Sequence, residues 1–188
     1  MALLELMPTF ATRRATLDDA AVLTETARLG FETFATFLPA GWAPPESEIE
    51  ASGIRERLKW PDAWCVIAHE GEAAAGHVAF HAARERTDRR APIPRLAHLW
   101  MLFVREPWWG TGLARTLLAM AVEQATDEGY EAMRLYTPAL QARARRFYER
   151  EGWVSDGVTT YEPMLAFDLV EYRRGLPASP ADAATAGT

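Results

Sequence analysis

The chain has 188 residues, 49% of them hydrophobic and 24% charged, with a formal net charge of −6. That length and balance describe one globular domain, able to bury its own core without disulfide or metal support. The acidic charge argues against non-specific nucleic-acid binding, and a lone cysteine, Cys65, excludes a disulfide framework or a cysteine-rich metal site.

Phe10–Ala15 reads as a first strand, and Thr16 with Asp19 opens a helix as an acidic variant of the capping box. Gly30–Pro45 is aromatic and broken by prolines, carrying Phe31, Phe34, Phe37 and Trp42; it is too apolar for a linker and is expected to pack over something. Ser47–Trp60 reads as a second helix ended by Pro61. Two strands, Trp64–His69 and Ala73–His81, flank the hairpin signal Glu70-Gly71-Glu72. Cys65 sits inside the first of them, the setting of a buried structural thiol. Arg84–Pro94 is charged and proline-bearing and is expected to be a mobile loop, its arginines alternating with acids as in a solvated segment.

Leu99–Val104 is a continuous apolar run and reads as a buried strand, followed by the turn Gly110-Thr111-Gly112 and a helix from Leu113. Ala132–Tyr136 is a short strand. Leu140–Glu151 places Leu140, Ala144, Phe147 and Tyr148 on one helical face and stops at Gly152. Trp153–Val154 and Met164–Tyr172 read as two last strands, and Pro177–Thr188 as a disordered tail. The alternation of strands and helices, with hairpins at both ends, predicts an α/β fold built on a mixed sheet, one domain over residues 8–176. No segment approaches a membrane span. Met1–Met7 carries Glu5 and no basic flank, unlike a secretory signal, so the expected compartment is a reducing cytoplasm.

A strand feeding a glycine turn that opens a helix is a phosphate-binding arrangement, because glycine lets the backbone approach and the first helical amides are free. A mononucleotide P-loop fails here: Leu113-Ala114 follows Gly112 where Lys-Ser/Thr belongs. A dinucleotide fingerprint fails too, with Arg115 at its third small position.

The segment Val104-Arg105-Glu106-Pro107, then Trp109-Gly110-Thr111-Gly112-Leu113-Ala114, resembles motif A of the GNAT acyltransferase superfamily. Trp109 stands where that motif has Gln or Arg. Downstream, Gln141-Ala142-Arg143-Ala144-Arg145-Arg146-Phe147-Tyr148-Glu149-Arg150-Glu151-Gly152-Trp153 keeps the family's helix spacing, with Gln141 for Asn and Trp153 for Phe. The resemblance covers Phe10 to Tyr172, its specific motifs Leu96–Trp153. It implies a GNAT fold, with a central mixed sheet, splayed strands and acetyl-CoA as cosubstrate without a metal.

By the same resemblance, pantetheine pairs with the backbone of Leu102, Phe103 and Val104, and pyrophosphate takes the amides around Trp109, Gly110, Thr111, Gly112, Leu113, Ala114 and Arg115. Gln141 bonds the pantetheine arm or stays an exposed helix-start residue. Arg115, Arg143, Arg146 and Arg150 are solvated or meet phosphates. Tyr148 matches the family's thiolate-protonating tyrosine, against a plain core role. His98 stands where relatives carry a glutamate base; imidazole titrates near neutrality, so it is either the base or a strand-end residue making one hydrogen bond. His77 and His81 are weaker candidates. The expected reaction is direct acetyl transfer to a primary amine, of a small molecule given the aromatic Phe31–Trp42. The alternatives are a protein N-terminus or lysine, or a non-catalytic acyl-CoA-binding module. A homodimer is open; nucleic acid and membrane are not expected partners.

Overall fold

The computed structural model describes residues 9–44, 46–85 and 91–178, and its strands follow the apolar runs of the sequence. They are β1 (Ala11–Arg14), β2 (Trp64–Glu70), β3 (Ala73–Arg84), β4 (Pro92–Val104), β5 (Ala132–Pro138), β6 (Thr159–Glu162) and β7 (Phe167–Gly175). The helices are α1 (Ala20–Glu32), α2 (Ser47–Leu58), α3 (Leu113–Asp127) and α4 (Ala142–Arg150). All seven strands form one sheet in the order β1-β2-β3-β4-β5-β7-β6, antiparallel except for the parallel pair β4–β5. This is the mixed α/β architecture that the alternation of elements predicts.

Burial on both faces explains the long apolar strands. Leu113, Leu117, Leu118, Ala121 and Ala125 recur at helical spacing on α3 and pack on Val66, Val78, Phe80, Ala97, Leu99, Met133 and Leu135. Tyr148, Trp153 and Tyr172 extend the same cluster. The opposite face takes Ala20 and Leu23 of α1 and Ile54 of α2 against Cys65, Ile67, Ala79 and Met101. Cys65 is 3% exposed, and burial pushes its thiol up to about 12, as suits a structural residue. The aromatic segment forms a third cluster, with Phe34 and Leu38 against Phe167 and Leu169 of β7.

The boundaries differ where local signals mislead. The expected loop Arg84–Pro94 is strand at both ends, in Arg84 of β3 and Pro92–Pro94 of β4, and Arg84 pairs with Pro92; residues 86–90 of it lie outside the described residues. Pro92 and Pro94 are tolerated because β5 joins only from Leu96, so that side of β4 has no ladder to break. The last expected strand, Met164–Tyr172, begins only at Phe167 as β7, and β6 ahead of it is not among the expected strands; a turn with Ala166 at φ 58° joins the two, and Met164 in it is exposed. Trp153–Val154 contributes a single bridge, Val154 to Arg173. Leu140 precedes α4 and is exposed, leaving its buried face to Ala144, Phe147 and Tyr148. Of the tail, residues 179–188 lie outside the described residues.

Gly76 of β3 faces β4 so closely that a Cβ there would lie 2.6 Å from the Phe103 carbonyl oxygen. Backbone cannot yield as a side-chain tip can. Gly76→Ala should therefore cost about 1–3 kcal/mol, read as a lowered midpoint in urea unfolding; an unchanged midpoint would mean that the two strands can part there.

Candidate functional site

The parallel ladder between β4 and β5 is short. It runs from Leu96↔Ala132 to Leu99↔Leu135 and stops. One residue later β4 bulges: Leu99 pairs with Phe80 and Met101 with Ala79, leaving Trp100 as the extra residue. β5 meanwhile continues through Tyr136, Thr137 and Pro138 along β7. The strands diverge, and the edge of β4 over Trp100–Val104 loses its β5 partner. An open strand edge offers N–H and C=O groups to an extended ligand, as the expected pairing of Leu102, Phe103 and Val104 requires.

The glycine turn lies just beyond that edge. Gly110 and Gly112 take φ values of 81° and 87°, in the left-handed region that favours glycine, and Gly112 caps α3. A Cβ on either would meet nothing within 4 Å, so the backbone here is approachable. Thr116 is the first residue whose amide closes onto α3, 3.1 Å from the Gly112 carbonyl. The amide of Leu113 has only a 3.4 Å contact with Thr111 Oγ1. The preceding amides and the positive helix end are groups that favour an anion.

Trp109 does something that the sequence did not disclose. Its indole Nε1–H donates to the Val104 carbonyl at 2.7 Å, and the Arg143 guanidinium lies 4.0 Å above the ring. Turn, strand edge and α4 are thus tied together across the mouth of the splay. Arg143 is engaged in a cation–π contact rather than simply solvated. Arg115 is exposed and bonded to Glu151 at 2.8 Å. Gln141 sits at the start of α4, 3.4 Å from Thr137 Oγ1.

Tyr148 is 9% exposed on α4, with the rings of Trp153 and Tyr172 at 5.9 and 6.1 Å. Tyr172 is tied to Glu149 at 2.7 Å and to Arg145 at 3.2 Å, whereas the Tyr148 hydroxyl has no hydrogen bond to a described residue. Burial raises the Tyr148 phenol well above its ordinary value, so it remains a proton donor.

The histidines lie on the other side of the sheet, in a row across β3 and β4. His98 pairs in register with His81 and Arg134, and its ring lies 5.3 Å from that of His81 and 5.5 Å from that of Tyr136. His98 Nδ1 and both ring nitrogens of His77 are sealed without partners, while His81 Nδ1 is 2.7 Å from the Ala82 carbonyl. Burial first, then neighbouring cations, lowers all three: His77 to about 3, His81 to about 4, His98 well below the ordinary 6.5. Beside them Tyr136 donates to Glu171 at 2.8 Å, and a groove of about 300 Å³ is lined by Tyr136, Asp156, Val158, Thr160, Glu171 and Arg173. The aromatic segment closes over this face, with Phe31 5.5 Å from Phe103. Trp42 is fastened by its indole N–H to the Leu165 carbonyl at 2.7 Å.

The geometry agrees with the comparisons. Residues 29–153 match the family model of the Acetyltransferase (GNAT) family. The chain therefore belongs to the GNAT family and is a GNAT-type acetyltransferase. No curated protein matches it. Solved structures share its fold. A GNAT-family protein from Desulfovibrio desulfuricans is 23% identical over 90% of this chain and 100% of that one, with a TM-score of 0.68. The PaiA N-acetyltransferase of Thermoplasma acidophilum, solved with coenzyme A, is 18% identical over 87% and 98%, with a TM-score of 0.61. The ribosomal-protein-S18-alanine N-acetyltransferase of Escherichia coli is 14% identical over 89% and 94%, at 0.63. No helix among the described residues is long and apolar enough to cross a membrane.

The buried histidines make stability depend on pH. The unfolded chain takes up their protons below 6.5, whereas folded His81 and His77 resist protonation down to about 4 and about 3. Stability is therefore full above pH 6.5 and is lost as pH falls through that window. His77→Gln should shallow the decline by about 2 kcal/mol between about pH 6 and about pH 4.5. Urea unfolding across the range checks this, and a decline as steep as in the unsubstituted protein would exclude His77 as its source.

Proposed function

We propose that this enzyme transfers acetyl from acetyl-CoA to a primary amine of a small molecule, by direct attack within a ternary complex. The observation that carries the reading is the splay after Leu99↔Leu135, with an open β4 edge beside the free amides of α3. Pantetheine would lie along Leu102–Val104 and pyrophosphate over Gly110–Arg115, where backbone amides and the helix end favour negative charge. Trp109 occupies one of the two lone pairs of the Val104 carbonyl and so competes with pantetheine for it.

The amine lone pair attacks the thioester carbonyl, whose oxygen gathers charge that a backbone amide of the open edge is placed to stabilise. The carbon–sulfur bond then breaks, and the thiolate takes the proton of Tyr148. Tyr148 stands on the α3–α4 face, which leaves the face of His98 and Tyr136 to the amine. His98 is proposed to receive the amine's proton. Its lowered proton affinity keeps the lone pair free at neutral pH and sets its acidic limb below 6.5. Phe31–Trp42 and the adjoining groove favour a small acceptor with apolar surface. A protein acceptor, as in the ribosomal-protein relative, is the alternative within the enzyme class. Trp109 across Val104 favours a second reading, a module that holds acyl-CoA without turnover.

Calorimetry with acetyl-CoA and thiol release over an amine panel decide between these. Absence of acetyl-CoA binding would end the reading; binding without release on any amine would favour the module. Tyr148→Phe should lower kcat by about 10²–10⁴ with acetyl-CoA affinity nearly intact, and an unaltered rate would return Tyr148 to the core. His98→Ala should remove the acidic limb of the pH–rate profile. Trp109→Phe keeps a ring under Arg143 but frees the Val104 carbonyl; acetyl-CoA should bind about 5-fold tighter, and weaker binding would mean that the indole itself contacts the cosubstrate.

A further inference from the structure

Arg134 is buried on the His98 side of the sheet with no counter-charge among the described residues. It is 7% exposed, stands in register with His98, and lies one step before the β4–β5 ladder ends. Its Nη2 donates to the Arg84 carbonyl at 2.5 Å, and its guanidinium lies 5.6 Å from the Tyr136 ring centroid. Its Nε is sealed from solvent and has no hydrogen-bond partner. Among the described residues no carboxylate pairs with it.

Three carboxylates of that face answer to other cations, Glu50 of α2 standing half-buried in the field of Arg57. Asp62 accepts from Arg84 at 3.0 Å and from the Ala82 amide at 2.9 Å. Glu171 takes the Tyr136 hydroxyl and pairs with Arg173. Further cations stand close by: Arg57 lies 4.9 Å from the Trp100 ring centroid and Arg84 4.0 Å from that of Trp60. A guanidinium taken out of water without an opposing charge is a cost that folding alone does not require, since an apolar residue of similar volume is usually as stable there or more so. Its five fixed donors suit a carboxylate, and one carbonyl engages only one of them.

On the acetyl-transfer reading above, we infer that Arg134 receives a carboxylate of the acceptor, so that the molecule acetylated carries a carboxylate as well as its primary amine. The guanidinium lies 5.6 Å from the ring centroid of Tyr136, the first β5 residue beyond the ladder, so a carboxylate held there would sit beside the splay.

The test is thiol release with ω-amino acids from glycine to 6-aminohexanoate, each beside its amide, in which the carboxylate is replaced by a neutral group of nearly the same size. At least one acid of the series should exceed its amide in kcat/KM by at least about 10-fold. Arg134→Met should abolish that discrimination and Arg134→Lys should keep part of it. Equal rates for acid and amide throughout the series, or a preference that survives Arg134→Met, would each overturn the assignment. Thermal unfolding separates a structural role: Arg134→Met should hold or raise Tm, and a fall of several degrees would make Arg134 a structural residue. Should acetyl-CoA bind while no amine releases thiol, the acetyl-transfer reading fails by itself. The subsite is then read by ligand-induced shifts in Tm. At least one acid of the series should raise Tm more than its amide does, and only with Arg134 present; equal shifts throughout the series would overturn the subsite.

Discussion

The structure turns on where one ladder stops. β4 and β5 exchange hydrogen bonds only from Leu96↔Ala132 to Leu99↔Leu135, after which each strand keeps a single neighbour. Backbone N–H and C=O groups at a strand edge must still find partners, in ligand, side chain or water. Trp100 bulges at that point, which increases local twist and turns the last stretch of β4 from the line of β5. The divergence opens the strand edge at the end where α3 begins, so an extended amide chain and an anionic group can be held by consecutive parts of one ligand.

Trp109 answers the same constraint from within the chain. Its indole N–H satisfies the Val104 carbonyl, and Arg143 covers its ring. A glutamine or arginine at this position has a flexible tip; an indole is rigid, large and donates a single hydrogen bond. The substitution therefore gives the cleft an internal competitor for one backbone acceptor, while the amides of α3 stay available. On the acetyl-transfer reading, affinity for acyl-CoA would depend on how the indole and the ligand share that oxygen, a term that the glycines do not control.

Much of the fold was legible because its signals are local. The apolar runs, the left-handed glycines at 110 and 112 and the spacing from Gln141 to Trp153 each follow from the few residues around them. The errors have local causes as well. Pro92 and Pro94 look like loop residues because proline cannot join a ladder on both sides, and only the strand order shows that one side is open there. Leu140 fits the apolar period of α4 but falls before its first turn. At the site, sequence position could suggest that His98 replaces an acid, but not that burial and neighbouring guanidiniums keep its ring neutral. Arg134 passed unnoticed because one charged residue in a short strand reads as an exposed position. Only the three-dimensional packing shows that it is buried and that no described carboxylate pairs with it.

Charge on the two sides of the sheet is arranged for different tasks. The chain is acidic overall, at −6, yet Arg57, Arg84 and Arg134 gather around His81 and His98. A protonated imidazole among guanidiniums would be repelled, which reinforces what burial already does to these rings. An acceptor that arrived as a bare ammonium would meet that same repulsion. One that brings a carboxylate neutralises the guanidinium as it docks, which removes part of the repulsion against its ammonium on entry. The buried cation and the neutral histidines are then two consequences of one arrangement, in which the ligand would supply the anion that pairs with Arg134.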